Sequence, residues 1–101
     1  MPGGAYKIRW LRAALKSLDD IAAYVAKENR QAAHDLVKRV LDAVDVLTDH
    51  PGIGRPGRVP GTRELVVTGI SYLVPYRVKG RSVEILRVFH GSRRWPSSFD
   101  G

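Results

Sequence analysis

The sequence predicts an α+β domain, with two helices packed on one face of a small, largely antiparallel sheet in the order β-α-α-β-β-β. Between Leu11 and Leu47 the apolar residues recur every three or four positions, the period of a helix with one buried face. On either side of that stretch the period drops to two, in residues 5–10 and again from Arg63 onward. Separating the two regimes is PGIGRPGRVPG, residues 51–61, a run of glycine and proline that suits neither helix nor strand.

The first strand is AYKIRW, residues 5–10, where Tyr6, Ile8 and Trp10 alternate with Lys7 and Arg9. From Leu11 a helix begins, and Leu11, Leu15, Leu18, Ala22 and Val25 line its buried face to an end near Glu28. Asn29 is placed as the N-cap of a second helix, whose stripe is Ala33, Leu36, Val37, Val40, Val44 and Leu47. Lys16, Asp19, Asp20, Lys38, Arg39, Asp42 and Asp45 fall mainly outside the stripes, as solvated residues do. So short a link between the helices makes them antiparallel neighbours.

His50-Pro51-Gly52 stops the second helix, since proline cannot continue it. Gly52, Gly54 and Gly57 match GxGxxG, but a dinucleotide-binding loop follows a strand and opens a helix. This one follows a helix and contains Pro56, so that reading is rejected. The loop carries Arg55 and Arg58 to the surface instead.

Residues 63–67 form the next strand and 68–71 a turn. YLVPYRVKGRSVEILRVFHGSRRW, residues 72–95, then reads as a hairpin running into a basic tail. Gly80 supplies the positive φ of its turn. Tyr72, Val74, Tyr76 and Val78 point one way, and Leu73, Pro75 and Arg77 the other. In the second strand Glu84, Leu86, Val88 and His90 alternate with Val83, Ile85, Arg87 and Phe89. Tyr72 and Tyr76 are expected in the core, and Trp10 and Trp95 as core or tail anchors. Pro75 has no N–H for a ladder, which predicts a local gap or bulge. The sheet face away from the helices is expected to be a basic, shallow surface.

A chain of 101 residues makes one domain, 1–101, with 1–4 and 96–101 expected to be flexible. At 44% hydrophobic and 27% charged, the composition is that of a globular chain and excludes a disordered one. No run approaches the ~20 apolar residues of a membrane helix, and the start lacks a signal peptide's apolar core. The expected location is the cytoplasm. There are no cysteines, hence neither disulfide nor thiolate chemistry. His34 and His50 stand alone without metal-ligand spacing, so neither metal nor cofactor is expected.

Charge is the strongest compositional fact. Of the net +7, residues 1–50 contribute eight Lys and Arg against seven Asp and Glu, and residues 51–101 nine against three. The β half is therefore the basic half. It calls for a polyanionic partner, either nucleic acid or an acidic protein segment.

Several words in their order carry a resemblance. They are DDIAAYVAKEN in the first helix, AA…VKRVLDAVDVL in the second, HPGIGRPGR after it, then RELVV, YLVPYRV and VEILRVFHGSRRW. This set, from about Tyr6 to Trp95, resembles the RelE/ParE superfamily, the toxins of bacterial type II toxin–antitoxin modules. The resemblance implies a growth-inhibiting toxin of a plasmid-stabilisation module, neutralised in a hetero-oligomer by a cognate antitoxin that is acidic, partly disordered and encoded next door. It leaves two targets open, and an inactive member that only binds its antitoxin as a third reading. RelE-like toxins cut messenger RNA in the ribosome, whereas ParE-like toxins poison DNA gyrase.

Cleaving RNA through its own 2′-hydroxyl needs a base, an acid and cations around the phosphorane. In this chain the candidates are His90 with Arg87 and Arg93. The resemblance places an arginine of the nuclease branch directly after the first tyrosine of the long strand, where this chain has Leu73. No tyrosine follows His90. Both departures favour ParE-like action on gyrase, with Arg55, Arg58, Arg63, Arg77, Arg93 and Arg94 as the target-binding residues.

Overall fold

The computed structural model describes residues 6–91. Its elements are β1 (Lys7–Trp10), α1 (Arg12–Ala26), α2 (Arg30–Asp45), a 3-10 turn (Val46–Thr48), β2 (Arg55–Pro56), β3 (Arg63–Val67), β4 (Tyr72–Lys79), β5 (Ser82–Ile85) and β6 (Phe89–His90). The expected tail anchor Trp95, the tail arginines Arg93 and Arg94, and the two flexible ends lie outside the described residues.

Each helix starts differently. Asn29 caps α2 through its side chain, whose Oδ1 accepts from the Ala32 N–H at 3.0 Å. Leu11 precedes α1 in an extended conformation with no side-chain cap. α2 stops at Asp45 and tightens into the 3-10 turn, so its regular part ends before the proline the sequence pointed to.

Strand order is β1-β5-β4-β3-β2, with β6 pairing the start of β4. β1 runs parallel to β5, while the other pairs are antiparallel. The parallel pair needs the long crossover that the α-hairpin supplies. Gly80 (φ 58°) and Arg81 form the two-residue turn between β4 and β5, with the positive φ in first place as a type II′ turn requires.

The hairpin breaks where the proline predicts. Tyr76 opposes Ile85, but Leu73 opposes Phe89, so the partner strand holds one extra residue between these points. That is a bulge. Pro75 O accepts from Leu86 N–H at 2.9 Å, so its nitrogen also faces the interrupted side, where the missing N–H leaves no rung broken. The second strand is therefore two short ones, β5 and β6, and the simple alternation across residues 83–90 does not hold. Val83 and Ile85 share the core with Val88, which lies in the bulge itself.

One apolar cluster joins both helices to the sheet, through Ala14, Leu18, Leu36, Val40, Val44, Leu47, Val67, Val74, Tyr76, Val83, Ile85 and Val88. The α2 stripe is as the sequence reads. The α1 stripe is rotated: Ala14 and Leu18 are buried and Ile21 and Val25 pack against the cluster, while Leu15 is 49% exposed. α1 is apolar over a wide arc, and small Ala14 lets the helix approach more closely than leucine would. Val78, expected on the core side, stands at the end of β4 and is 39% exposed.

Candidate functional site

Three features surround the expected site residues: the far face of the sheet, the loop after the helices, and a groove between α1 and β6.

On the far face, register places Arg9 beside Glu84 beside Arg77, across β1, β5 and β4. Glu84 is buried, and its Oε1 accepts from Arg77 Nε at 2.6 Å while Arg9 Nη1 lies 3.8 Å from Oε2. The Arg77 hydrogen bond holds the Glu84 carboxyl below its ordinary range. Burial works the other way, and the charges of Arg77, Lys79 and Arg9 add to the lowering. Further along, Glu64 on β3 is also buried and takes two donors from Arg55 on β2, one of them Nε at 2.7 Å. Two expected target-binding arginines, Arg55 and Arg77, are thus fixed from behind by carboxylates. Each guanidinium keeps donors to spare beyond these bonds.

The loop is pinned by Tyr76. Its hydroxyl accepts from Gly54 N–H at 2.9 Å and donates to Pro51 O at 2.7 Å. Burial raises the Tyr76 pKa, with the Gly54 hydrogen bond and the Arg63 charge pulling the other way, so the neutral phenol can donate. A Cβ on Gly54 would meet the Tyr76 hydroxyl at 2.6 Å and Glu64 O at 2.9 Å, which explains the glycine. Arg63 Nη1 donates to Gly54 O at 2.9 Å and closes the same corner, while Arg58 is exposed in the loop.

An open groove between α1 and β6 is lined by Ser17, Asp20, Ile21, Tyr24, Tyr72, Val88, Phe89 and His90. His90 opposes Tyr72 on the helix side of the sheet, with ring centroids 5.4 Å apart in an edge-on contact. The Ser17 hydroxyl donates to Ala14 O and accepts from Val88 N–H, both at 2.9 Å, so it ties α1 to the bulge that forms the groove floor. Leu73 opposes Phe89 and faces away from His90, as successive strand residues do. Arg87, half-buried, lies in the bulge between β5 and β6.

The described residues therefore divide the expected site. His90 lies on the helix side, Arg55 and Arg77 on the far face, and Arg58 and Arg63 at the loop. The far-face guanidinia, which can hold an anion, stand on the opposite side of the sheet from His90, while Arg87, the other described catalytic candidate, lies between β5 and β6 close to His90 in the chain. Among the described residues no group of three or more His, Asp or Glu is placed to hold a metal ion. No helix among them is long and apolar enough to cross a membrane.

Sequence reasoning gave no role to Ser17 or Glu84. The role of Glu84 was legible: a two-residue turn at Gly80-Arg81 sets Arg77 directly opposite it. Ser17 gave no signal, because its partner is the amide of a bulge 71 residues away.

Residues 8–95 match the family model described as the ParE toxin of the type II toxin–antitoxin system, parDE. The toxin-named protein Y4kP of Sinorhizobium fredii is 49% identical over 90 residues, 89% of this chain and 93% of that protein. Toxin ParE1 of Caulobacter vibrioides is 34% identical over 87 residues, 83% of this chain and 88% of the relative. Among solved structures, a chain of the chromosomal ParDE toxin–antitoxin system from P. aeruginosa superposes with a TM-score of 0.78 at 32% identity, over 86% of this chain and 97% of that one. A chain of the RelBE2 toxin–antitoxin complex from Mycobacterium tuberculosis does so at 0.55 and 25%, over 85% and 91%.

Proposed function

The chain belongs to the ParE toxin family of type II toxin–antitoxin systems, and from that premise we propose that it halts growth in the cytoplasm by binding DNA gyrase and is neutralised by a cognate antitoxin. The observation that carries the choice of target is Leu73, an apolar residue on the opposite side of the sheet from His90. Acid–base cleavage of RNA needs an imidazole and phosphate-holding cations around one scissile bond. Among the described residues the candidates for these roles are His90 on β6 and Arg87 just before it. The place where the resemblance puts a nuclease arginine holds Leu73, which faces away from His90. A toxin that acts by binding needs no such convergence. The stronger likeness to the ParDE structure than to the RelBE2 structure supports the same reading.

The antitoxin follows from the family and from charge. An acidic, partly disordered segment encoded beside this chain complements its basic half and orders on docking. Hetero-oligomer formation then covers surface that the free toxin exposes.

The test pairs two assays on the purified chain, gyrase supercoiling and primer extension on messages, each with His90→Gln. The variant keeps a hydrogen-bonding side chain but cannot shuttle a proton near neutral pH. We expect gyrase inhibited by both forms and toxicity nearly unchanged in the variant, since one neutral hydrogen bond is worth about 0.5–1.5 kcal/mol. Cleaved transcripts that vanish with His90→Gln, beside unaffected gyrase, would overturn the proposal.

A further inference from the structure

At the β1 end of the sheet, residues far apart in sequence assemble a cationic patch, of which only Arg77 has been given a role above. Register sets Lys7 opposite Ser82 and Ser82 opposite Lys79, and in the next row Arg9 opposite Glu84 and Glu84 opposite Arg77. Paired residues of neighbouring strands share a face, so Lys7, Arg9, Arg77 and Lys79 all project from the far side of three adjacent strands. Two residues along a strand span about 7 Å, and β1 to β4 is two strand spacings, about 10 Å. The four cations thus spring from the corners of a rectangle of that size, with Glu84 and Ser82 between them. Within these two rows only Glu84 opposes their charge, which leaves a net +3. Glu84 is buried, whereas Lys7, Arg9 and Lys79 are exposed. The carboxylate therefore acts as an anchor beneath the patch, holding Arg77 at 2.6 Å, and does not compete for a ligand above it. Arg81, in the turn, is drawn onto the Tyr6 ring at 5.3 Å and stands apart from the four.

We propose that this patch, Lys7, Arg9, Arg77 and Lys79, binds the phosphodiester backbone of a nucleic acid without regard to sequence. Charge complementarity is the first reason. The second is composition: none of the six residues in the two rows is apolar. A protein partner gains most of its affinity from buried aromatic and aliphatic anchors at the centre of the contact. Protein–nucleic acid contacts are instead polar and strongly positive, with phosphate contacts supplying sequence-independent affinity. An acidic peptide is the competing ligand, and the test must separate the two. The inference is independent of whether gyrase is the toxin's target.

The experiment measures anisotropy of a labelled 20-base-pair DNA duplex and a 20-nucleotide single-stranded RNA with the purified full chain, from 50 to 200 mM salt. It compares wild type with the triple variant Lys7→Gln, Arg9→Gln, Lys79→Gln. A second triple variant, Lys16→Gln, Lys27→Gln, Lys38→Gln, removes the same charge from the helices. For the patch variant we expect at least about tenfold weaker binding at 50 mM salt, and a salt slope shallower by about one for each lost phosphate contact. The helix variant should bind within about threefold of wild type. Tighter binding of the duplex would identify DNA as the source of the backbone, and tighter binding of the RNA would identify RNA; either supports the patch. Equal losses in both variants would overturn it, because net charge alone would then explain the binding. No binding by wild type, or a polyglutamate peptide that binds as tightly as the duplex and loses as much in the patch variant, would also overturn it. Lys7→Gln with Lys79→Gln keeps the Arg9 contact to Glu84 and gives the same reading should the triple variant fold poorly.

Discussion

On β5, Ile85 turns toward the helices and is fully buried, while its neighbour Glu84 turns to the far face and is buried almost as deeply. The helix side needs only apolar volume: Ile85 packs in the cluster with Tyr76, Val83 and Val88, where dispersion and release of water act without direction. The far side is specified by directed bonds, because a carboxylate taken from water must recover its hydrogen bonds from a fixed partner. Arg77 is that partner, and it is held in place by the demand it satisfies. The apolar face therefore stabilises the fold, and the charged face sets where cations stand. A surface salt bridge lacks this force, since both of its members remain hydrated.

Three substitutions sharpen the contrast, in falling order of effect. Ile85→Ala removes buried methyl groups from the helix side and should cost about 2–5 kcal/mol in urea unfolding, with no change in the pH profile. A cost below 1 kcal/mol would show that the core closes around the gap.

Glu84→Gln should cost less, about 1 kcal/mol at pH 7, because a charged hydrogen bond of about 1.5–3 kcal/mol gives way to a neutral one of about 0.5–1.5. Its signature lies in acid. The Glu84 carboxyl is held below its ordinary 4.5 in the fold, so the stability it contributes is whole above that value. That stability is lost as pH falls through the lowered folded value. The acid limb of the wild-type stability curve below pH 4.5 should flatten in Glu84→Gln and persist in Ile85→Ala. An identical limb in all three proteins would remove Glu84 from any stabilising role.

The smallest effect belongs to Lys38→Ala. Lys38 Nζ meets Asp42 at 3.0 Å one turn along α2, with both side chains about two-thirds exposed. Its loss should shift stability by less than about 0.5 kcal/mol, and raising the salt should erase the shift. A cost matching that of Glu84→Gln would end the distinction between hydrated and buried pairs.

The sequence by itself determined the α+β order, the α2 stripe and its Asn29 cap, and the position of the hairpin turn, because each depends on residues within a few positions of one another. It also located the break opposite Pro75, since a missing N–H is a local property of the chain. Which flank of α1 went inward was not legible, because Leu15 and Ala14 both lie on its apolar arc and only the approach to the sheet chose between them. The parallel β1–β5 pair was likewise hidden, and with it the meeting of Arg9 with Glu84 and of Lys7 with Ser82. Those contacts join residues more than seventy positions apart. Periodicity reports which face a residue takes within its own element. It holds no information on which strands become neighbours, and that choice is made only when the helices and the sheet close over one core.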